Sequence, residues 1–388
     1  MANTFFRVNE SDVSNYFVPK DVFSQGQLWG WGSNSDGNLG DNTTTARSSP
    51  VQTVAGGINW KQVAGGYRSS TAIKTDGTLW GWGSNGDGQL GDNTLTSKSS
   101  PVQTVSGGTN WRQVSCFRFH TAAIKTDGTL WIWGDNASGQ LGTNNITDRS
   151  SPVQTVSGGT NWKQVSCGGS HTGAIKTDGT LWMWGAHYDG ELGNNATAGY
   201  PNARSSPVQT VSGGTNWKLV SCGTNHTGSI KTDGTLWMWG GNGDGQLGDN
   251  TLTSKSSPVQ TVAGGTNWKQ VSCGNIYTGA IKTDGTLWMW GDGVSGKLGN
   301  LNTIDRSSPV QTVSAGTNWR QVSCGYSTTG AIKTDGTLWM WGLGTSGELG
   351  DNTRVTKSSP VQTIAAGTNW KDINVGHLEF VSAITAVD

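Results

Sequence analysis

The chain has 388 residues, with 26 Lys and Arg balanced by 26 Asp and Glu, so its formal net charge is zero. This balance supplies no overall field that would attract nucleic acid or an anionic membrane, and a nucleic-acid partner is not expected. The longest apolar runs are four residues, which excludes a membrane-spanning helix. The start of the chain lacks the apolar stretch of a secretion signal.

Twenty-one tryptophans fall at three positions of one repeat that is written seven times. Fourteen lie in the motif Leu-Trp-x-Trp-Gly, and seven lie in the pair Asn-Trp. The first Trp of the paired motif stands at 29, 80, 131, 182, 237, 288 and 339, and the Asn-Trp residues are Trp60, Trp111, Trp162, Trp217, Trp268, Trp319 and Trp370. A nearly fixed period of this size indicates an array of equal structural units.

One copy, residues 161–211, predicts four successive strands at 161–167, 172–177, 180–185 and 206–211. Asp178 and Gly179 form a two-residue hairpin turn, because Gly accepts positive φ and Asp tolerates it. A proline heads the fourth strand, which therefore belongs at a sheet edge. Seven copies of this unit predict an all-β fold, a seven-bladed β-propeller of four-stranded antiparallel blades.

The two ends of the repeat region complement each other. The N-terminal part offers a Leu-Trp strand at Leu28 with no Asn-Trp strand before it, and the C-terminal part offers an Asn-Trp strand and a strand at 381–387 with no Leu-Trp strand after them. We therefore predict that N- and C-terminal strands share one blade and close the ring. In the alternative, residues 21–26 supply the hairpin partner of the Leu28 strand.

The predicted propeller covers residues 24–388 and is preceded by a non-repeat arm at 1–23. The arm contains the aromatic residues Phe5, Phe6, Tyr16, Phe17 and Phe23, of which the first four are the candidate anchor residues. Two interpretations stay open. The arm is either an anchor that docks on a partner protein or a strap packed on the rim of the propeller.

The repeat Val-Ser-Cys-Gly-x-x-His-Thr-x-Ala-Ile-x-x-Asp-Gly-x-Leu-Trp-x-Trp-Gly-x-Asn-x-x-Gly-Gln-Leu-Gly resembles the regulator of chromosome condensation repeat family over about residues 24–388. The resemblance implies a seven-bladed propeller with the Asn-Trp strand innermost and the Ser-Pro-Val strand outermost. Family members include an exchange factor for a small nuclear GTPase, a plant UV-B photoreceptor and a bacterial β-lactamase inhibitor, so the fold does not choose the function. The near identity of the copies is also similar in style to repeat proteins of tailed bacteriophages.

Catalytic, cofactor and metal sites are not expected. Five cysteines occupy one repeat position and predict buried free thiols, because ring-related positions lie too far apart for disulfides. His120, His171 and His226 share another position, where hydrogen bonding to the backbone is favoured over catalysis. An active site needs unlike residues that converge once, and uniform repetition disfavours this, so the chain is not expected to be an enzyme.

Two sets of loops vary between copies, those after Cys-Gly and those after Trp-Gly, and strand parity places both on the same face. Tyrosine, phenylalanine and arginine are enriched in protein interfaces. The predicted partner-binding residues in these loops are Tyr67, Arg68, Phe117, Arg118, Phe119, His187, Tyr188, Tyr200, Tyr277 and Tyr326. Neutral drift of exposed loops is the alternative.

Basic residues also recur, and 20 of the 26 lie at three repeat positions. A ring of such residues would suit an anionic partner. Pairing with the recurring aspartates is the favoured interpretation, and exposed ion pairs of this kind contribute only about 0–1 kcal/mol each.

These observations favour a non-enzymatic propeller for protein–protein interaction or structure, acting on another protein within a larger assembly, with a phage virion component as one form of it. The alternative is a soluble regulator, a small-GTPase exchange factor or an enzyme inhibitor, that binds one folded protein through the variable loops. An enzyme or ligand-binding protein that uses the central channel is a third hypothesis.

Overall fold

The computed structural model describes residues 26–106, 108–196, 199, 203–211, 213–313, 316–364 and 367–387. The arm at 1–23, with its five aromatic residues, lies outside the described residues. Within them the fold consists of 28 β-strands and one short 3₁₀ turn, Val294–Gly296. No helix in this part of the chain has the length and hydropathy needed to traverse a lipid bilayer.

The strands follow the predicted repeat, with bounds that differ by at most two residues from the prediction in the copy at 161–211. The chain begins with β1 (Gly26–Gly32) and β2 (Arg47–Gln52). It continues with β3 (Trp60–Gly65), β4 (Ser69–Lys74), β5 (Leu79–Gly83), β6 (Lys98–Gln103), β7 (Trp111–Cys116), β8 (His120–Lys125), β9 (Leu130–Gly134), β10 (Arg149–Gln154), β11 (Trp162–Cys167), β12 (His171–Lys176), β13 (Leu181–Gly185) and β14 (Arg204–Gln209). The remainder is β15 (Trp217–Cys222), β16 (His226–Lys231), β17 (Leu236–Gly240), β18 (Lys255–Gln260), β19 (Trp268–Cys273), β20 (Tyr277–Lys282), β21 (Leu287–Gly291), β22 (Arg306–Gln311), β23 (Trp319–Cys324), β24 (Thr328–Lys333), β25 (Leu338–Gly342), β26 (Lys357–Gln362), β27 (Trp370–Val375) and β28 (Phe380–Ala386).

Seven four-stranded antiparallel sheets form the blades of a propeller. Blades 1 to 6 each use four consecutive strands, from β3–β6 in blade 1 to β23–β26 in blade 6. The Asn-Trp strand is innermost and lines the central channel, and the proline-containing strand is outermost, as the resemblance implied. The prediction that the proline-containing strand lies at a sheet edge is confirmed. Proline has no backbone N–H to donate, and at an edge no neighbouring strand needs that hydrogen bond.

Blade 7 joins the two ends of the repeat region. Its strand order is β2-β1-β28-β27, and β1 pairs with β28 along its whole length, from Gly26 opposite Ala386 to Gly32 opposite Phe380. The predicted closure by N- and C-terminal strands in one blade is confirmed. In the alternative, residues 21–26 would pair with the Leu28 strand, but β28 occupies that position beside β1.

Neighbouring blades pack face to face through seven apolar clusters. At the junction of blades 7 and 1, Leu28 and Ile384 from one sheet meet Trp60, Val63 and Trp82 from the next. The two faces of each sheet are therefore both apolar, as the alternation in Leu-Trp-x-Trp predicts. Within each blade the inner-strand Trp and the second Trp of the pair meet edge to face, at 6.2 Å between the ring centroids of Trp60 and Trp82.

The second Trp of each pair also makes a hydrogen bond to the preceding blade. The indole N–H of Trp133 donates to the carbonyl oxygen of Gln89 at 2.9 Å, and the hydroxyl of Thr121 donates to the same oxygen. The same indole bond recurs at all seven junctions, with donors Trp31, Trp82, Trp133, Trp184, Trp239, Trp290 and Trp341. Gly91 follows the acceptor loop at φ +69°, and a Cβ there would lie 2.7 Å from the Trp133 nitrogen.

Two faces result from strand parity. The turns between second and third strands carry Asp-Gly, and with the connections between blades they form what we call the Asp-Gly face. The opposite, variable face carries the axial loops, between first and second strands, and the outer loops, between third and fourth strands. In the last blade the axial loop is residues 376–379.

Deletion of residues 380–388 tests the closure. We expect it to abolish cooperative thermal unfolding, because β1 and β27 each lose the strand that joins them. Circular dichroism and gel filtration measure the effect. Deletion of 387–388 is the control, because it removes only residues beyond β28. A melting temperature unchanged by the longer deletion would show that another segment closes the ring.

Candidate protein-interaction face

The axial loops converge on the propeller axis and are tied to one another through their backbones. The amide N–H of His377 donates to Gly66 O at 2.8 Å, and that of Tyr67 donates to Arg118 O at 3.1 Å. Corresponding bonds join the axial loops of blades 3 to 4, 4 to 5 and 5 to 6, with donors Gly169, Thr224 and Asn275. Because these bonds join the axial loops at five of the seven blade junctions, the loop side chains stand on a well-held base.

His377 lies at the centre of this ring and contacts side chains from four other blades. Its ring centroid lies 5.7 Å from Tyr67, 4.9 Å from Phe117 and 5.2 Å from Tyr326. Its Nε2 lies 3.2 Å from the hydroxyl of Thr224, on the other side of the axis. The imidazole therefore spans the mouth of the channel at the variable face.

The protonation state of His377 follows from its surroundings. Burial, and then the positive charge of Arg118, lower its pKa to about 3, so the ring is neutral. The Thr224 hydroxyl donates its proton to the Asn275 side-chain oxygen at 2.7 Å. Its oxygen is then left to accept from Nε2–H of His377, which fixes the tautomer.

Tyr67, Phe117, Phe119, Tyr326 and His377 constitute the aromatic cluster. The Tyr67 and Phe119 centroids are 5.0 Å apart, and Tyr326 is 40% exposed. The guanidinium groups of the two predicted arginines lie over aromatic rings of the cluster, Arg68 at 5.5 Å from Tyr67 and Arg118 at 5.4 Å from Phe119. Five of the predicted partner-binding residues thus lie together beside His377: Tyr326 is exposed, and Tyr67, Arg68, Arg118 and Phe119 are half-buried. Phe117 is buried beneath them.

Two residues predicted for the binding face are buried structural residues. Tyr277 is inaccessible to solvent because it begins the second strand of blade 5, where its hydroxyl donates to Thr328 O at 2.8 Å. His187 is equally buried. It replaces the asparagine that holds other outer loops, and its Nδ1 accepts from the backbone N–H of Leu192. Neither side chain is available to a partner in this structure.

The remaining predicted residues lie apart from the cluster. Tyr188 is 44% exposed in the outer loop of blade 3, and its hydroxyl lies 3.4 Å from that of Ser138 in the outer loop of the preceding blade. Tyr200 lies outside the described residues. His377 was missed because its copy of the repeat is truncated, although it occupies the same loop position as Tyr67 and Tyr326.

The outer loops add exposed apolar residues that the sequence did not single out. In blade 1, Asn85 is buried and its amide donates to the backbone carbonyls of Thr94 and Thr96. Leu95 between them is held at the surface, 64% exposed. The outer loops of other blades expose Ile146, Leu252, Ile304 and Val355. Their shared place, five or six residues after the loop leucine, was a signal in the sequence.

The predicted histidine position links blades. Nε2 of His120, His171 and His226 lies 2.9–3.0 Å from the threonine hydroxyl of the next blade, and not at a backbone group as expected. Each hydroxyl of Thr172 and Thr278 donates in turn to a loop carbonyl. Burial lowers the pKa of these three histidines to about 3, so they are neutral structural residues.

The channel is lined by groups that satisfy one another. The Gln113 amide donates to Val165 O and its oxygen accepts from Val165 N–H, which joins two inner strands. The hydroxyl of Ser115 accepts from the Cys167 N–H at 3.0 Å. The cavity within the channel has a volume of about 140 Å³. All five cysteines are free and buried, as predicted. Burial raises the pKa of Cys116, Cys222 and Cys324 to about 12, which removes them as nucleophiles.

One outer-loop position holds carboxylates where other blades hold glutamine. Glu348 is inaccessible to solvent, and Gln89, Gln140 and Gln246 occupy the same place in other blades. Burial raises the pKa of Glu348 to about 7. Its Oε2 accepts from Ser346 N–H.

Among the described residues, no group of three or more His, Cys, Asp or Glu side chains is placed to hold a metal ion.

Family models match nearly the whole chain. The model of the RCC1-like domain matches residues 21–251, and that of the regulator of chromosome condensation (RCC1) repeat matches 233–281, 284–332 and 335–378. The chain belongs to the RCC1 family. Its curated relatives in this family include the ultraviolet-B receptor UVR8 of Arabidopsis thaliana, 32% identical over 85% of this chain and 76% of the relative. Another is the mitochondrial RCC1 domain-containing protein RUG3 of the same plant, 28% identical over 84% and 79%.

Solved structures agree on the fold. Yeast RCC1 (Prp20), in a structure bound to Kap60, has a TM-score of 0.83 and 17% identity, covering 100% of this chain and 96% of that one. Human WBSCR16 has a TM-score of 0.80 and 22% identity, covering 93% and 99%. At these identities the likeness shows the RCC1-type propeller and nothing about its activity.

The neutral histidines predict an acid-sensitive stability. The pKa of His226 lies below its unfolded value of 6.5, so the unfolded chain binds a proton first and stability falls between about pH 6.5 and 3. Each such residue contributes about 1.4 kcal/mol per pH unit. His226→Tyr, which copies Tyr277, should lessen the loss of unfolding free energy from pH 7.5 to 5. Tyr277→His should increase it. Equal pH dependence in wild type and both variants would contradict the neutral state.

Glu348→Gln should stabilise the protein more at pH 8 than at pH 5. The pKa of Glu348 is raised to about 7 from an ordinary value of 4.5, so its unfavourable contribution grows as pH rises between these values and is complete above them. Melting temperatures at the two pH values measure the effect. Gln246→Glu is the reciprocal control and should destabilise more at pH 8. A variant that gains equally at both pH values would contradict a titration effect.

Proposed function

We propose that this RCC1-family propeller is a non-catalytic interaction module that binds one folded protein through the aromatic cluster of its variable face. The observation that supports this most directly is the convergence of exposed and half-buried aromatic rings from several blades on axial loops that are joined by backbone hydrogen bonds. Rigid aromatic residues bury a large area at little entropic cost, and Arg beside them adds directional hydrogen bonds. The exposed apolar residues of the outer loops extend the surface outward.

The contrast between the two faces supports the same proposal. The six Asp-Gly turns are alike, and each turn aspartate accepts hydrogen bonds from the threonine two residues later. The axial and outer loops differ in nearly every copy, although their bases are held by the same bonds. Variation in the loops of a repeated frame is typical of a recognition surface.

Structurally similar proteins are compatible with an interaction role. One yeast RCC1 structure is a complex with Kap60, and yeast Prp20p has been characterised for its binding to Gsp1p and histones. A particular exchange or inhibitory activity does not follow from the shared fold. A phage particle was suggested by the style of the repeats alone, and no contact or matched family supports it.

Cross-linking tests the proposed face. A photo-reactive amino acid placed at Tyr326 should cross-link a single protein in extracts of the source cells, whereas the same group at exposed Thr160 on the Asp-Gly face should not. The captured protein is then purified and its affinity measured by calorimetry. Tyr67→Ala, Phe119→Ala and Tyr326→Ala should each weaken binding about 10-fold or more.

Asp178→Ala and Asp284→Ala are the matched controls, because both residues are exposed on the opposite face. They should change the affinity by less than about two-fold. If the aspartate variants weaken binding and the aromatic variants do not, the partner occupies the other face and the proposal is wrong.

A further inference from the structure

The recurring basic residues separate into three groups with different surroundings. Those at the start of the outer strands lie near outer-loop aspartates, with Arg47 3.0 Å from Asp41 and Lys98 3.8 Å from Asp92. For the described residues, the predicted pairing with aspartate is therefore confirmed in this group for Arg47, Lys98 and Lys255.

A second group, the clamp lysines, packs on tryptophan. Lys74 Nζ lies 4.8 Å from the ring centroid of Trp60 and 4.4 Å from that of Trp80. The equivalent residues are Lys125, Lys176, Lys231, Lys282 and Lys333. The turn aspartate beside each clamp lysine accepts hydrogen bonds from its own turn, as Asp76 does from Thr78.

The third group forms a ring around the channel mouth at the Asp-Gly face. Its members follow the inner-strand tryptophan in every blade, and we call them the cation ring: Lys61, Arg112, Lys163, Lys218, Lys269, Arg320 and Lys371. The Arg112 guanidinium donates to Trp162 O in the next blade at 2.9 Å, and that of Arg320 donates to Trp370 O at 2.9 Å. Both side chains therefore lie along the ring.

Neighbouring members of the ring influence one another. Burial lowers the pKa of Lys218, and the positive charges of Lys163 and Lys269 in the two adjacent blades lower it further. Adjacent inner strands approach within 8 Å between Cα atoms. A group on the axis of seven such strands lies roughly 9 Å from each of them, about one Debye length at physiological salt. All seven side chains therefore start from backbone positions at a similar, short distance from a ligand at the axis.

Acidic residues on the Asp-Gly face are fewer than the basic ones, although Asp372 acts on Arg320. Within the described residues, the Asp-Gly face carries thirteen Lys and Arg and seven Asp, of which six are turn aspartates and one is Asp372. The variable face, with the first residues of the outer strands, carries eleven Lys and Arg and fifteen Asp and Glu. A chain without net charge thus has one positive and one negative face.

We propose that the cation ring binds a compact anion with several phosphate groups, free or as a lipid headgroup, on the propeller axis at the Asp-Gly face. A compact anion on the axis is close to all seven cations at once. Duplex nucleic acid spreads its charge along a line, about one charge per 1.7 Å, and meets only part of a closed ring. This site is on the opposite face from the aromatic cluster and does not depend on the proposed function.

Calorimetric titration with inositol hexakisphosphate as the probe tests the site. Wild type should bind at 50 mM salt and lose affinity as salt increases. The triple variant Lys163→Gln, Lys218→Gln, Lys269→Gln should bind about 100-fold more weakly, because three of the seven charges are removed at this range. Thermal unfolding shows that the variant is folded.

The control is Lys98→Gln, Lys255→Gln, Lys357→Gln, which removes the same charge from the outer strands and should change the affinity less than about three-fold. No binding by wild type at 50 mM salt, or an equal loss in both triple variants, overturns the proposal. Stronger binding of a 20-base-pair duplex than of the probe also overturns it. Binding to vesicles with and without phosphatidylinositol bisphosphate distinguishes a lipid headgroup from a free anion. If binding to the lipid requires the cation ring and is tighter than binding to inositol hexakisphosphate, the ligand is a lipid headgroup.

Discussion

The structure depends on the hydrogen bond from the second Trp of each pair to the outer loop of the preceding blade. It occurs at every junction, as in Trp133 to Gln89 O and Trp184 to Gln140 O. The indole fills the apolar space between two sheets, and its N–H satisfies a buried carbonyl, so packing and polarity are met by one side chain. Because this hydrogen bond holds the base of an outer loop and does not involve its tip, the residues at the tip can vary without loss of the fold.

The fold could be predicted because the positions of the tryptophans identify both the type of each strand and the number of repeats. Counting seven of each strand type even located the blade shared by both ends. The exposed residues of the proposed binding face were harder to predict, because the exposure of a loop residue depends on its position within the loop. Tyr277 stands one position beyond the loop and enters the sheet, while His187 takes the place of a buried asparagine. His377, at the centre of the cluster, lies in a copy without its own Leu-Trp strand and so escaped comparison.

Charge shows a second limit of reasoning from composition. Basic and acidic residues are equal in number over the whole chain. Strand parity nevertheless places the inner-strand cations on one face and most loop carboxylates on the other. The repeat multiplies any such bias by seven, so one basic residue per copy becomes a ring. The two faces thereby acquire different chemistry, one aromatic and acidic, the other basic.

Blade 7 has a consequence for synthesis. β1 leaves the ribosome early, but its partner β28 emerges more than 300 residues later, as does the Glu348 carbonyl that receives the Trp31 indole. Until residues 380–386 are made, one edge of β1 stays unpaired and the apolar surface of Leu28 has no Ile384 beside it. Exposed strand edges and apolar surface are what chaperones and proteases recognise. Because the closing strands are far apart in the sequence, a nascent propeller remains recognisable as incomplete until its final strand has been translated.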